Sequence, residues 1–275
     1  MKSNLKTPLI KSYCGDTFSA PPNTISAIQN AIYLGADIIH LDLQITKDGH
    51  PILYHDYYLN DLEKPGVNKH IEDFTIEEIK KFRIKFANNS LSNIESIPTL
   101  SDVMDLCKGK IEIELDLRTP SLFLLEKTLE LVRNKKLTNI VQLTSPHLPL
   151  LSHARRLSRK IGISVFFHCF PSWMWPVTWQ EHILQYLKLI DAQNAAMLSS
   201  MLDEKFVEKL HRSMFAVCAV SDFEFANRQA VLVEERTLLK SIAEDFRKIC
   251  RIKCDQLTTR NIKLFIQARN TLTPG

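Results

Sequence analysis

The 275-residue chain has no long run of lysine and arginine, and its 35 basic and 31 acidic residues leave a formal net charge of only +4. Without concentrated positive charge to neutralise a phosphate backbone, nucleic acid is not an expected partner. An uninterrupted apolar span is also missing. The most apolar stretch, Ile161 to Val177, is broken by His168, Pro171 and Pro176, so no transmembrane segment is expected. The opening MKSNLKTPLIKSYCGD has neither the apolar core nor the small-residue cleavage site of a secretory signal. A soluble, cytoplasmic protein is therefore expected. Zinc-type cysteine spacing is absent as well: Cys14, Cys107, Cys169, Cys218, Cys250 and Cys254 are scattered, and a lone CxxxC pair is not a ligand pattern. Reduced and mostly buried thiols are the expected state. No repeat or low-complexity linker divides the chain, so residues 1–275 are read as one domain.

What the chain does have is an alternation of short β-branched runs with longer helical patterns, the signature of a mainly parallel α/β sheet. Strands are expected at Leu9 to Tyr13, Ile38 to Leu43, Ile52 to Tyr54, Ile111 to Leu117, Ile140 to Leu143, Ile163 to Phe167, Ala195 to Leu198, Phe215 to Val220 and Gln256 to Thr258. Helical patterns fill most of the intervals, including Ser26 to Leu34, Ile76 to Phe82 and Arg236 to Ile249. Thr75 with Glu78, and Thr99 with Asp102, have the spacing of a capping box. About eight βα units, one of them with a Lys47-Asp48-Gly49 turn, is the count of a closed (β/α)8 TIM-type barrel. A doubly wound open sheet is the competing topology.

In a barrel, the C-terminal strand ends and the loops after them form the active face. Along Ile38 to Leu43 the two-residue period puts His40 and Asp42 on one side and Ile39, Leu41 and Leu43 on the other. Glu112, Glu114, Asp116 and Arg118 repeat this pattern. Charges on an inward face are costly unless they pair with one another, with a metal or with an anion. Asp42 and Asp116 suit a hard divalent cation, and Arg118 offers a donor fork to a phosphate. An internal salt-bridge network with no ligand is the alternative.

Several stretches in fixed order resemble the glycerophosphodiester phosphodiesterase family. Tyr13-Cys14-Gly15 stands where that family has His-Arg-Gly, and Pro22-Asn23-Thr24 where it has Pro-Glu-Asn-Thr. Gly35-Ala36-Asp37, Thr46-Lys47-Asp48-Gly49, His55-Asp56 and Ile97-Pro98-Thr99-Leu100 follow at family spacing. His40-Leu41-Asp42 replaces Glu-x-Asp, and Asp116-Leu117-Arg118 replaces Glu-x-Lys. Beyond residue 120 the match is looser, with Cys218 to Asp222 and Asp255 to Arg260 resembling its last two strand motifs.

The resemblance implies a (β/α)8 barrel and metal-dependent hydrolysis of glycerophosphodiesters or lysophospholipid-like phosphodiesters in lipid metabolism. It assigns catalysis to the positions of His55 and Tyr13, phosphate binding to Arg118 and Cys14, and metal binding to His40, Asp42 and Asp116. The departures are specific. Tyrosine, with an ordinary pKa of about 10, is a poor acid-base replacement for the first histidine at neutral pH. The phosphate-binding arginine is lost to Cys14. An imidazole at position 40 makes the site less negative and softer, which adds Zn²⁺ or Mn²⁺ to the family's Mg²⁺ or Ca²⁺. His40 is read as a ligand, as a reassigned proton-transfer group or as a core imidazole. Tyr13 is read as a site residue or as barrel packing. A catalytically impaired barrel with a binding or regulatory role is the alternative function. Trp173, Trp175 and Trp179 cluster in one loop after Phe167, where they could touch a lipid surface or fold back on the barrel rim.

Overall fold

The computed structural model describes residues 7–59, 69–85, 94–167, 178–221 and 235–272. Eight parallel strands form the barrel: β1 (Leu9–Tyr13), β2 (Ile38–Ile45), β8 (Glu112–Leu117), β9 (Val141–Thr144), β10 (Gly162–Phe167), β11 (Asn194–Leu198), β12 (Ala216–Val220) and β13 (Gln256–Thr259). β1 pairs with both β2 and β13, which closes the sheet and excludes the open topology. A short strand, β3 (Pro51–Leu53), returns antiparallel along β2 after the expected turn at Asp48 and Gly49. Two small hairpins lie beside it, β4 (Tyr58–Leu59) with β5 (Lys69–His70) and β6 (Arg83–Lys85) with β7 (Ile94–Ser96).

Barrel strands are covered on both faces, which is why the sequence writes them as nearly continuous apolar runs. All eight residues of β2 are buried. Ile39, Leu41 and Leu43 face outward into one large core with Leu100, Val103 and Leu125 of the surrounding helices. Burying each such side chain is worth roughly 1.5–3 kcal/mol, and this outer layer supplies most of the driving force for folding. A second, smaller cluster of Ile52, Leu59, Ile71, Phe74, Ile76, Ile79 and Ile97 underlies the segment between β2 and the helix Leu100–Cys107.

Local signals account for the helix starts. Thr75 and Glu78 form the expected capping box, and the Thr99 hydroxyl accepts from the Asp102 amide. The helix expected over 76–82 ends early, at Ile79, because the chain beyond it turns to form β6. The aromatic ring of Phe82 packs edge-on to Phe74, 5.3 Å between centroids, which holds that exit in place. A last helix, Ile262–Leu272, was not expected from the sequence. Its Phe265 packs against Phe246, and its Arg269 pairs with Asp37, which also accepts the Ile10 amide.

Candidate active site

The C-terminal ends of β1, β2 and β8 stand side by side, and strict parallel register aligns their side chains. Tyr13 lies opposite His40, His40 opposite Glu114, and Asp42 opposite Asp116. The expected inward parity of His40 and Asp42 is therefore what the strand presents. Cys14 adopts a left-handed backbone at φ 61° and Gly15 follows at φ 91°. A Cβ on Gly15 would lie 2.7 Å from Ala27, so only glycine lets β1 turn this closely over the helix Ile25–Leu34.

One ligand atom from each of His40, Asp42 and Asp116 lies within 4.8 Å of the others, and all three residues are buried. The His40 Nε2 is 3.7 Å from Asp42 Oδ1 and 4.0 Å from Asp116 Oδ2. Asp42 is supported from behind: Asn23 Nδ2 donates to its Oδ2 at 2.8 Å, the Cys14 thiol donates to the same oxygen at 3.0 Å, and the Asp42 amide donates to Asn23 Oδ1. Arg118 Nη1 donates to Asp116 Oδ2 at 3.2 Å, and Tyr57 and His147 both reach the Arg118 carbonyl.

Burial works against every charge here, and for His40 and Asp42 the neighbours outweigh it. For His40, hydrogen bonding and charge from Asp42 and Glu114 outweigh burial and push the ring up to about 10. Asp42 is held well below the usual carboxylate range despite its burial, chiefly by His40. Asp116 is pushed up by burial, and the adjacent Asp42 carboxylate adds to it. Burial, with Cys14 and Asp42, drives the Tyr13 phenol far upward, so it remains protonated at neutral pH.

Among the described residues, Asp42 Oδ1, Asp116 Oδ1 and Arg118 Nε are buried with no hydrogen-bond partner. His40 Nε2 at 3.7 Å and Arg118 Nε at 4.0 Å approach Asp42 Oδ1 without bonding to it, and buried carboxylate oxygens left in this state are expensive unless a cation comes closer. The donor set of one imidazole nitrogen and two carboxylates thus fits a divalent cation with room for substrate or water.

In front of these groups opens a cavity of about 430 Å³, lined by Tyr13, His55, Arg118, Phe166 and Arg260 among others. His55 follows β3 and is partly exposed, with Nδ1 2.7 Å from Asp56 Oδ1. Tyr13 stacks on His40 at 4.9 Å and 12°, and the Arg260 guanidinium lies 4.8 Å from the opposite partner in this stack, the Tyr13 ring. Cys14, which stands at the family's phosphate-binding position, is buried and turns its thiol to Asp42, where it supports a carboxylate. Of the two readings of the tryptophan loop, half-buried Trp179 takes the one that folds back on the protein, its ring packing edge-on to Phe206 at 5.1 Å. Trp173 and Trp175 lie outside the described residues.

The sequence reading assigned no role to Lys11, Asn23 or Arg260. A lysine two residues before Tyr13 on an inward register was the available signal for the first, and Asn23 lies inside a quoted motif.

The model of the glycerophosphoryl diester phosphodiesterase family matches residues 15–217. The chain belongs to this family. A glycerophosphodiester phosphodiesterase of Caldanaerobacter subterraneus subsp. tengcongensis is 30% identical over 167 residues, 58% of this chain and 67% of that protein. One from Bacillus altitudinis is 30% identical over 152 residues, 53% of this chain and 60% of its own length. Two solved structures share the fold across nearly the whole chain. The glycerophosphodiester phosphodiesterase of Agrobacterium tumefaciens superposes with a TM-score of 0.74 at 15% identity, covering 95% of this chain and 100% of that one. A phosphodiesterase of Oleispira antarctica, in complex with the product sn-glycerol-3-phosphate, gives 0.72 at 18% identity, covering 96% and 97%. No helix among the described residues is long and apolar enough to cross a membrane.

Proposed function

We propose that this family member is a metal-dependent hydrolase of small phosphodiesters, of the glycerophosphodiester or lysophospholipid-like class. The observation that carries the reading is the facing pair Asp42 and Asp116, each with an unsatisfied buried oxygen, beside an imidazole nitrogen. His40, Asp42 and Asp116 would hold the cation. Bound there, it supplies Lewis-acid polarisation of a phosphoryl oxygen. The nitrogen ligand favours Zn²⁺ or Mn²⁺ over Ca²⁺, which prefers an all-oxygen cage.

Charge bookkeeping supports an anionic substrate. Three carboxylates, Asp42, Glu114 and Asp116, are faced by Lys11, Arg118 and a protonated His40. Exchanging one proton on His40 for a divalent cation adds one net positive charge, and Arg260 adds another to the same cavity, which favours an anionic substrate.

The chain's own groups then divide the work. Arg118, whose Nε makes no hydrogen bond and lies 4.0 Å from Asp42 Oδ1, donates to a phosphoryl oxygen and holds the diester against the β2–β8 wall. In hydrolysis a water oxygen bonds to phosphorus and releases a proton to solvent, from which the acid is later restored, while the ester P–O bond breaks and the departing alkoxide needs a proton. His55 supplies it: Asp56 engages Nδ1, which leaves Nε2 for transfer at the cavity mouth. Tyr13 keeps its phenol proton and serves as a hydrogen-bond donor and as the packing partner of His40.

The test is turnover of glycerophosphocholine with added Mg²⁺, Ca²⁺, Zn²⁺ or Mn²⁺ by the wild type, His55→Ala and Asp42→Ala. Metal-stimulated activity in the wild type alone supports the reading. Equal signal in all three samples would replace it with a non-catalytic anion-binding barrel.

A further inference from the structure

Behind His40 the barrel interior holds a charged pair that the proposed reaction does not touch. Lys11 on β1 is fully buried, and its Nζ donates to Glu114 Oε2 at 2.7 Å. Gln142 Nε2 on β9 donates to the same oxygen at 2.9 Å. The other carboxylate oxygen, Oε1, lies 2.9 Å from His40 Nδ1. Barrel interiors are normally filled with branched apolar side chains. A buried ion pair gives no more stability than such packing and costs desolvation of both charges. Something other than stability accounts for its presence at this level of the barrel.

Hydrogen-bond direction shows what the pair does. An ammonium and an amide both donate to Oε2, so Glu114 stands as an ionised carboxylate and its Oε1 is an acceptor. The proton between Oε1 and His40 must then sit on Nδ1. This turns the ring so that Nε2 faces Asp42 and Asp116. We infer that Glu114, held by Lys11 and Gln142, is a positioning residue that fixes the His40 ring with Nδ1 protonated and Nε2 presented to a divalent cation. Carboxylate–histidine–metal arrays of this type set ligand orientation and raise ligand basicity. The device is local to this chain's own substitution: an imidazole, unlike a carboxylate, has two different nitrogens and needs one of them chosen for it.

The inference rests on the metal reading above, and one set of measurements separates the two. The wild type is titrated with Zn²⁺, and the His40 ring is followed by long-range ¹H–¹⁵N correlation. The expected spectrum shows the ring proton on Nδ1 and zinc on Nε2. Zinc on Nδ1 would overturn the positioning role and leave the metal site standing, whereas no zinc-dependent change at His40 would overturn the metal reading itself and this inference with it. In parallel, Lys11→Met/Glu114→Gln, which removes both charges together, is expected to bind Zn²⁺ about 10–100-fold more weakly than the wild type. Unchanged affinity in that folded variant would overturn the role. Should the variant fail to fold, the wild-type ring spectrum decides alone.

Discussion

The two walls of the barrel mouth are chemically unlike. β1, β2 and β8 point Lys11, Tyr13, His40, Asp42, Glu114 and Asp116 inward, every one of them titratable. Across the cavity, β10 to β13 offer Ser164, Phe166, Ala196, Val220 and Thr258, none of which carries a charge. Arg260, just past β13, is the exception, and it leans back onto Tyr13 of the charged wall. On the proposed reading, the difference separates two tasks. Breaking a phosphodiester requires concentrated charge at one place, and a neutral wall of hydroxyl and apolar groups is what decides which alcohol fits beside it.

The largest effects should come from the charged wall. Asp42→Ala removes a proposed cation ligand and the acceptor of Asn23 and Cys14 at once. We expect about a 10⁴-fold fall in kcat/KM, the equivalent of roughly 5.5 kcal/mol of transition-state stabilisation. Steady-state assays at saturating metal check this, and a loss under tenfold would break the assignment. His55→Ala should reduce kcat by about 10³-fold with little change in metal affinity, in the range of a lost general acid. If instead metal binding fell in step with kcat, His55 would belong to the ligand set.

Stability should report the same wall through pH in the metal-free protein. His40, raised from 6.5 to about 10, contributes stability that is fully present below pH 6.5 and is lost as the pH rises through 10. Glu114, held down from 4.5 to about 2, contributes stability present above pH 4.5 and lost as the pH falls towards 2. Melting curves in chelator should therefore show a maximum between these limits and a decline above pH 6.5. A flat alkaline limb would mean that the network does not carry the charge described.

The neutral wall should respond weakly and differently. Ser164→Ala or Ala196→Val is expected to shift KM by about three- to tenfold, the scale of one methylene or hydroxyl in a pocket, while kcat hardly moves. Comparing diesters that differ only in the departing alcohol would show the effect. A kcat collapse in either variant would place chemistry on both walls and end the contrast.

Much of this arrangement was readable in the chain. The barrel strands are buried on both faces, so β2 and β8 stood out as apolar runs interrupted at every second position by His40, Asp42, Glu114 and Asp116. Parity in a strand is local, and it placed these groups on one face before any partner was known. Pairings between distant residues were not readable. Lys11 meets Glu114 across 103 positions, and no nearby pattern marks an isolated lysine in β1 as part of the site. Cys14 read as a lost phosphate ligand because its sequence position could not show that its left-handed backbone turns the thiol onto Asp42. The small hairpins escaped for a related reason: two- and three-residue strands carry too little periodicity to be told from loops.

The central claim is that His40, Asp42 and Asp116 together hold one divalent cation at the barrel mouth. Anomalous diffraction from crystals grown with Zn²⁺ tests it most directly, with data collected on both sides of the zinc edge. The account predicts a single strong anomalous peak in contact with His40 Nε2 and with a carboxylate oxygen of both Asp42 and Asp116. A peak only at surface carboxylates, with His40 still wedged between Glu114 and Asp42, would contradict it.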